Sequence, residues 1–219
     1  MKRRLDTVQI RNVTRNFGPT AVLRGVSAEL VAGELTLLEG ANGCGKTTLL
    51  RIIGTLLRPT AGTVAYSPIG ADTMAVRAEL GWLSHELLGY GDLSARQNVE
   101  LAASLQALDP AAAWSRAVAR FDMASFADRP ARACSRGQRQ RIALARALVS
   151  EPSLLLLDEP SAGLDRAGVA RLRDVVREEV LAGAVVVVVS HEPELFLGIE
   201  VPVVTRLALE RGRIARQAD

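Results

Sequence analysis

One glycine-rich segment combines residue types and a spacing that could bind phosphate groups. Residues 40–47 read GANGCGKT and fit the pattern GxxxxGK[ST] between a predicted strand and a predicted helix. Such a loop turns its backbone N–H groups onto phosphate oxygens, and the following helix adds its positive N-terminal end. A glycine-rich turn without a ligand is the alternative. The candidate nucleotide-binding residues are Gly40, Ala41, Asn42, Gly43, Cys44, Gly45, Lys46, Thr47 and Thr48.

Lys46 stands out because, apart from Lys2, this chain uses arginine for all its basic side chains. A compact ammonium on a flexible stem fits a place where a planar guanidinium would not. We therefore expect Lys46 to reach the terminal phosphates of a nucleotide and Thr47 to hold Mg²⁺.

Two later segments add acidic and basic side chains at the ends of buried strands. LLLLDEP places Asp158 and Glu159 at the end of an apolar run, and VVVVVSHEP does the same for His191. The carboxyl ends of parallel strands meet at one edge of a sheet, so these groups should lie beside the phosphate loop. Asp158 could bind Mg²⁺, and Glu159 could orient the attacking water. His191 could contact the terminal phosphate or hold Glu159 and the water in place. The alternative is an acidic turn before Pro160.

Strands alternating with helices must hold these groups in place. Period-two alternation predicts a pair of strands at 6–17 and 21–30, joined at Gly18-Pro19. Continuous apolar runs predict buried strands that end in the phosphate loop, in Asp158 and in Ser190. The other predicted elements are strands at 62–66 and 79–83, helices at 46–57, 94–107, 110–122, 136–149 and 167–181, and a hairpin at 202–215.

This order predicts an α/β fold with a mostly parallel sheet and an N-terminal antiparallel β subdomain. The helices between the fifth strand and LLLLDEP interrupt the strand series, so we interpret them as an inserted subdomain. We expect one domain, 1–219, with its catalytic core at 1–84 and 151–219 and a helical subdomain at 85–150.

Composition excludes several classes of protein. The chain has 219 residues, is 48% hydrophobic and carries a net charge of +3, but its short basic blocks lack aromatic partners, so we expect no specific nucleic-acid binding. Cys44 and Cys134 form neither a disulfide framework nor a CxxC pair. No signal peptide and no membrane-spanning run is evident, so any membrane part should come from another chain.

Taken together, GANGCGKT, CSRGQRQR, LLLLDEPSAGLD and VVSH resemble, in this order, the nucleotide-binding subunit of ABC transporters over essentially the whole chain. The resemblance implies a P-loop NTPase with a RecA-like mixed-sheet core. Among P-loop proteins only the second segment is specific to the family, whose pattern is LSGGQ. Ser135, Gly137 and Gln138 match that pattern, whereas Cys134 and Arg136 depart from it.

The resemblance further implies that ATP and Mg²⁺ are bound between two copies of the chain arranged head to tail. Each ATP would lie between the phosphate loop of one copy and Ser135, Gly137 and Gln138 of the other. Phe17 would stack on adenine, and Asp165 would meet the opposing copy. An integral membrane permease would be the second kind of partner, which places the chain at the cytoplasmic face of the inner membrane.

The segment GWLSHELLGYGD carries His85 and Glu86 where relatives have a glutamine that reaches Mg²⁺ and the attacking water, in a loop that contacts the membrane subunit. Mg²⁺ prefers oxygen ligands, so an imidazole is a poor direct replacement. Three hypotheses stay open: His85 acts through a water, Glu86 supplies the oxygen, or the loop serves only to couple hydrolysis to the permease. An ordinary loop histidine is the alternative to all three.

Within the family, the chain resembles the ATP-binding subunit of the haem exporter of cytochrome c maturation. The opening 13–64, the histidine in GWLSHELL and the SRG in place of SGG indicate this group. An exporter of a drug, lipid or other small molecule is the next hypothesis. A soluble family member in translation or DNA repair, and a metabolic P-loop kinase, fit less well because they lack this domain outline or these motifs. The residues do not determine the cargo, its direction or the permease.

Overall fold

The computed structural model describes residues 4–85 and 89–215 and contains nine strands and six α-helices within them. The strands and helices follow the predicted order, and most bounds agree to within a few residues. The strands are β1 (Thr7–Phe17), β2 (Thr20–Val31), β3 (Leu35–Glu39), β4 (Ala61–Ser67), β5 (Leu80–Leu83), β6 (Leu154–Asp158), β7 (Val185–Val189), β8 (Val204–Glu210) and β9 (Arg213–Ile214). The helices are α1 (Lys46–Ile53), α2 (Thr73–Ala78), α3 (Ala95–Leu105), α4 (Pro110–Phe121), α5 (Arg136–Ala147) and α6 (Arg166–Leu181).

A six-stranded sheet in the order β5-β6-β7-β3-β8-β9 forms the centre of the molecule. Its strands pair in parallel except for β9, which closes the edge as an antiparallel hairpin with β8. Every residue of β6 and β7 is buried, as their continuous apolar sequences predicted. This mostly parallel sheet among helices confirms the predicted α/β fold class.

The two faces of this sheet pack against different layers. Because side chains alternate along a strand, Leu155 and Leu157 face the side of α3 to α6, while Leu154 and Leu156 face α1 and the second sheet. Val186 and Val188 of β7 share the helical side in the same way. One apolar cluster thus joins α3, α4 and α5 to the main sheet. The separation of 85–150 as a subdomain stays a prediction.

The second sheet is antiparallel, in the order β2-β1-β4. The register pairs Phe17 with Thr20 across the predicted Gly18-Pro19 turn. The hydroxyl of Tyr66 on β4 is buried and donates a 2.7 Å hydrogen bond to the carbonyl oxygen of Ile53, the last residue of α1. Burial raises the pKa of this phenol far above its usual value, so it stays protonated and keeps the donor. This bond ties the sheet to the helix that follows the phosphate loop.

Two elements differ from the sequence predictions. Helix α1 ends at Ile53 with Gly54 at its C-cap, several residues before the end predicted at 57. A short helix, α2, was not predicted; Asp72 caps it by accepting hydrogen bonds from the backbone of Met74 and Ala75. No helix within 4–85 and 89–215 is long and apolar enough to cross a bilayer.

Candidate active site

The phosphate loop connects the carboxyl end of β3 to the first turn of α1. Gly40, Gly43 and Gly45 all have positive φ, at 145°, 75° and 110°, which side chains rarely allow. A Cβ on Gly45 would also lie only 2.9 Å from the side chain of Leu23. The loop therefore needs glycine at this position for its backbone conformation and for its close approach to β2.

Lys46 is buried and folds back over the loop. Its Nζ donates hydrogen bonds to the carbonyl oxygens of Gly40, at 2.6 Å, and Ala41, at 3.1 Å. An ammonium has three donors, so one remains for a further acceptor in the cleft. This arrangement both closes the loop and holds a positive charge at its mouth.

Thr47 and Asp158 meet across the cleft, as their sequence positions predicted. Thr47 Oγ1 donates a 2.7 Å hydrogen bond to Asp158 Oδ2, and the Asp158 carboxylate is almost fully buried at the end of β6. A hydroxyl and a carboxylate oxygen side by side fit the ligand preference of Mg²⁺, which takes one or two protein oxygens and completes its shell with water and phosphate. The donor set therefore fits the predicted metal.

Glu159 and His191 form a second pair at the same sheet edge. Glu159 Oε2 accepts a 3.1 Å hydrogen bond from the backbone N–H of His191, and its Oε1 lies 3.4 Å from His191 Nε2. The backbone N–H of Glu159 donates to the carbonyl oxygen of Val189 on β7, which fixes its left-handed conformation at φ 53°. Its side chain is 11% exposed, whereas that of His191 is 55% exposed. The carboxylate is thus held in place, and the imidazole is accessible from the cleft.

Gln140 is a site residue that the sequence did not predict. This buried side chain on α5 donates from Nε2 to the carbonyl oxygens of Pro160, at 2.8 Å, and Glu159, at 3.3 Å. It therefore ties α5 to the turn that carries Glu159. We call the LSGGQ-like segment at the start of this helix, residues 134–138, the signature, and α5 the signature helix. The sequence does show a glutamine inside QRQRIALARAL, but it does not show that this side chain binds Pro160, 20 residues away.

These side chains surround one open cleft of about 610 Å³. Lys46, Thr47, Asp158, Glu159 and His191 all line it. The remaining lining residues are Val22, Asn42, Gly43, Gly45, Thr48, His85 and Val189. The cleft is thus large enough for the phosphate part of a nucleotide, and its walls carry the groups predicted for phosphate, metal and water.

Phe17 does not line this cleft. It lies at the end of β1 and is 47% exposed, with the guanidinium of Arg15 stacked 4.5 Å from its ring centroid. Arg15 thus covers one face of the ring, and the role of Phe17 in adenine binding stays a prediction. His85 does line the cleft, while Glu86 lies outside the described residues.

The signature residues also lie outside the cleft. Ser135 is the N-cap of α5, and its hydroxyl accepts from the backbone of Gln138 while the Gln138 side chain accepts from the backbone of Ser135. Gly137 packs on the next loop, where a Cβ would come within 2.7 Å of the carbonyl oxygen of Gly163. Asp165 caps α6 by accepting from the backbone N–H of Gly168 at 2.7 Å. One copy therefore does not bring its signature to its own phosphate loop.

Comparisons with known proteins agree with this geometry. The family model described as "ABC transporter" matches residues 23–162. The chain is 36% identical over 188 residues to the cytochrome c biogenesis ATP-binding export protein CcmA 2 of Cupriavidus metallidurans, covering 84% of this chain and 89% of that protein. It is 38% identical, over an alignment of 231 positions, to the lipoprotein-releasing system ATP-binding protein LolD 1 of Caulobacter vibrioides, covering 95% of this chain and 94% of that protein.

A solved structure shares the whole fold. The dimeric post-hydrolysis state of the ATP-binding cassette MJ0796 bound to ADP and Pi superposes with a TM-score of 0.86 at 27% identity, over 95% of this chain and 97% of that one. The chain has the phosphate loop, the two carboxylates at the sheet edge and the signature helix on one P-loop core. It therefore belongs to the ABC transporter family and is an ATP-binding, ATP-hydrolysing subunit.

Proposed function

We propose that the chain hydrolyses ATP in a head-to-tail homodimer and drives a membrane permease that serves haem handling in cytochrome c maturation. The observation that carries the hydrolytic part is the common cleft of Lys46, Thr47, Asp158, Glu159 and His191. The haem assignment is supported by the similarity to CcmA 2 and by the histidine and SRG variants of the sequence.

In the proposed mechanism, the phosphate loop and Lys46 bind the phosphates, and Glu159 positions the water. A carboxylate that is only 11% exposed and is held by a backbone N–H can orient a water in line with the terminal phosphate. His191 then stands where it can donate to that phosphate as negative charge develops. Thr47 and Asp158 would hold Mg²⁺, which neutralises phosphate charge when bound.

The dimer is proposed because each copy offers two separate half-sites. Ser135 is the N-cap of α5, so its hydroxyl and the positive end of that helix form an edge suited to an anion, and this edge does not line the cleft of the same copy. A second copy in head-to-tail orientation would bring this edge over the phosphates. ATP would then be part of the interface, and its hydrolysis would weaken the dimer.

The permease is proposed to dock beside the segment that carries His85, which would place the chain at the cytoplasmic face of the membrane. A second cleft of about 270 Å³ lies between β5, α3 and α5, with Trp82, Tyr90 and Leu105 among its lining residues. Ser84 lines this cleft and His85, the next residue, lines the nucleotide cleft. A permease segment in the second cleft would therefore be one residue from the hydrolytic site.

The dimer and the hydrolytic role of Glu159 are tested with a single variant. Glu159→Gln should bind ATP and form a stable dimer that wild type forms only transiently, because the amide keeps the size of the side chain but cannot polarise the water. Gel filtration with ATP and with ADP measures the dimer, and phosphate release measures hydrolysis. A Glu159→Gln protein that hydrolyses ATP at the wild-type rate would refute the assignment.

The haem role needs a separate test on the complex. The chain should co-purify with a tagged membrane protein encoded beside its gene, and the complex should show haem absorbance. ATP should lower the haem content of the wild-type complex but not that of a Lys46→Arg complex. A complex that hydrolyses ATP, holds no haem and binds a lipid or drug instead would favour the second candidate, a small-molecule exporter.

A further inference from the structure

Arg136 occupies a signature position where the family pattern has glycine, and it is the first residue of α5. Its side chain is exposed and forms no ion pair or hydrogen bond with residues 4–85 or 89–215. Neighbouring arginines differ: Arg132 lies 2.6 Å from a carboxylate oxygen of Asp92, and Arg141 lies 3.4 Å from one of Asp165. Arg136 thus presents a free positive charge at the surface.

Local stability does not explain this charge. A cation in the first turn of a helix is repelled by the positive end of the helix dipole, where acidic side chains are preferred. Helix α5 has no acidic residue in its first turn that could compensate Arg136. An anion from elsewhere at the helix N-terminus would remove this repulsion.

The stem of Arg136 is held by packing on the loop after Glu159. Gly163 has φ 76°, and a Cβ there would lie 2.7 Å from Arg136 Cγ, 2.8 Å from Cδ and 3.2 Å from Nε. The aliphatic part therefore covers Gly163 closely enough to require glycine. This contact places Nε of Arg136 beside Gly163, in the loop between Glu159 and Asp165.

We propose that Arg136 binds the terminal phosphates of the ATP held by the opposing copy, as a second cation beside that copy's own Lys46. The inference rests on the proposed head-to-tail dimer, in which Ser135 and the start of α5 cover the partner's phosphates. A guanidinium suits this place because its planar donors can bind two phosphate oxygens at once. Each ATP would receive one cation from each copy.

Dimerisation in the hydrolysis-deficient Glu159→Gln background tests the contact. Arg136→Gly restores the family pattern, and it should weaken the ATP-dependent dimer by about 10- to 100-fold, the loss expected for one hydrogen-bonded charge contact. ATP binding to the monomer, measured at dilution below dimer formation, should not change because the contact is made only across the interface. Arg136→Lys should restore part of the loss. Arg132→Gly is the matched control and should dimerise like the parent.

Hydrolysis separates a phosphate contact from a contact with partner protein. With Glu159 intact and at protein concentrations where Arg136→Gly is fully dimeric, the rate per copy should still fall by about 10-fold, as for loss of one charge-stabilising donor. An unchanged rate, or a dimer as tight as the parent's, would overturn the proposal for Arg136 alone. A Glu159→Gln parent that never dimerises with ATP would overturn the head-to-tail dimer itself, and the inference with it.

Discussion

Gln140→Leu should reduce both stability and turnover, because Gln140 holds the turn that carries Glu159. The substitution keeps most of the volume of a side chain that is only 3% exposed, but it removes the hydrogen bonds to the carbonyl oxygens of Pro160, at 2.8 Å, and Glu159, at 3.3 Å. The shorter bond, to Pro160, ends on a buried residue and should account for most of the loss of stability. Leaving these acceptors unsatisfied should cost about 2 kcal/mol of unfolding free energy.

For a chain of this size, that loss corresponds to a melting temperature about 4–8 °C lower. Freed from its anchor, the turn should let Glu159 shift, and a displacement on the order of 1 Å would reduce kcat by about 100-fold while ATP affinity stays near wild type. Denaturant unfolding and steady-state ATPase assays measure both effects.

Gln9→Leu is the control for this substitution. It makes the same chemical change at an exposed hydrogen bond to Glu29, 3.1 Å long, and should alter stability by less than about 0.5 kcal/mol. A Gln140→Leu protein that is destabilised but retains full kcat would show that the anchor does not position Glu159.

Three further predictions concern the loop and the cleft. Lys46→Arg should abolish hydrolysis although it keeps the charge, because a guanidinium cannot replace the ammonium packed on two loop carbonyls; wild-type turnover would contradict this. Alkylation of Cys44 should block ATP binding, and ATP should slow the alkylation. Cys134 should stay unmodified because it is buried and burial raises the pKa of its thiol. Peptide mass spectrometry measures the labelling of both cysteines, and equal labelling of Cys44 with and without ATP would contradict the prediction. His85→Gln should retain ATPase activity, while loss of activity only in Glu86→Ala would assign the glutamine role to Glu86.

Local spacing explains why much of the site was predictable. The phosphate loop lies within eight consecutive residues, and Asp158 and His191 each follow an unbroken apolar strand, so their edge of the sheet could be inferred. The sequence could not show that β7 lies between β3 and β6, because that order depends on pairing between distant strands. Gln140 was missed for the same reason, since its importance depends on a turn in another part of the chain.

The position of Ser135 links what was predicted to what one chain can do. Its motif was recognisable by resemblance, yet in the structure it caps α5 and does not line the cleft that holds Glu159. The N-terminus of α5, with the capping hydroxyl of Ser135 and an unpaired Arg136, has no anion within residues 4–85 and 89–215, and the cleft is lined by no signature residue. Both edges suit a phosphate group, so a nucleotide held between two copies is the simplest way to satisfy both. Turnover per copy should therefore rise with protein concentration, and a rate independent of concentration down to the monomer would refute this.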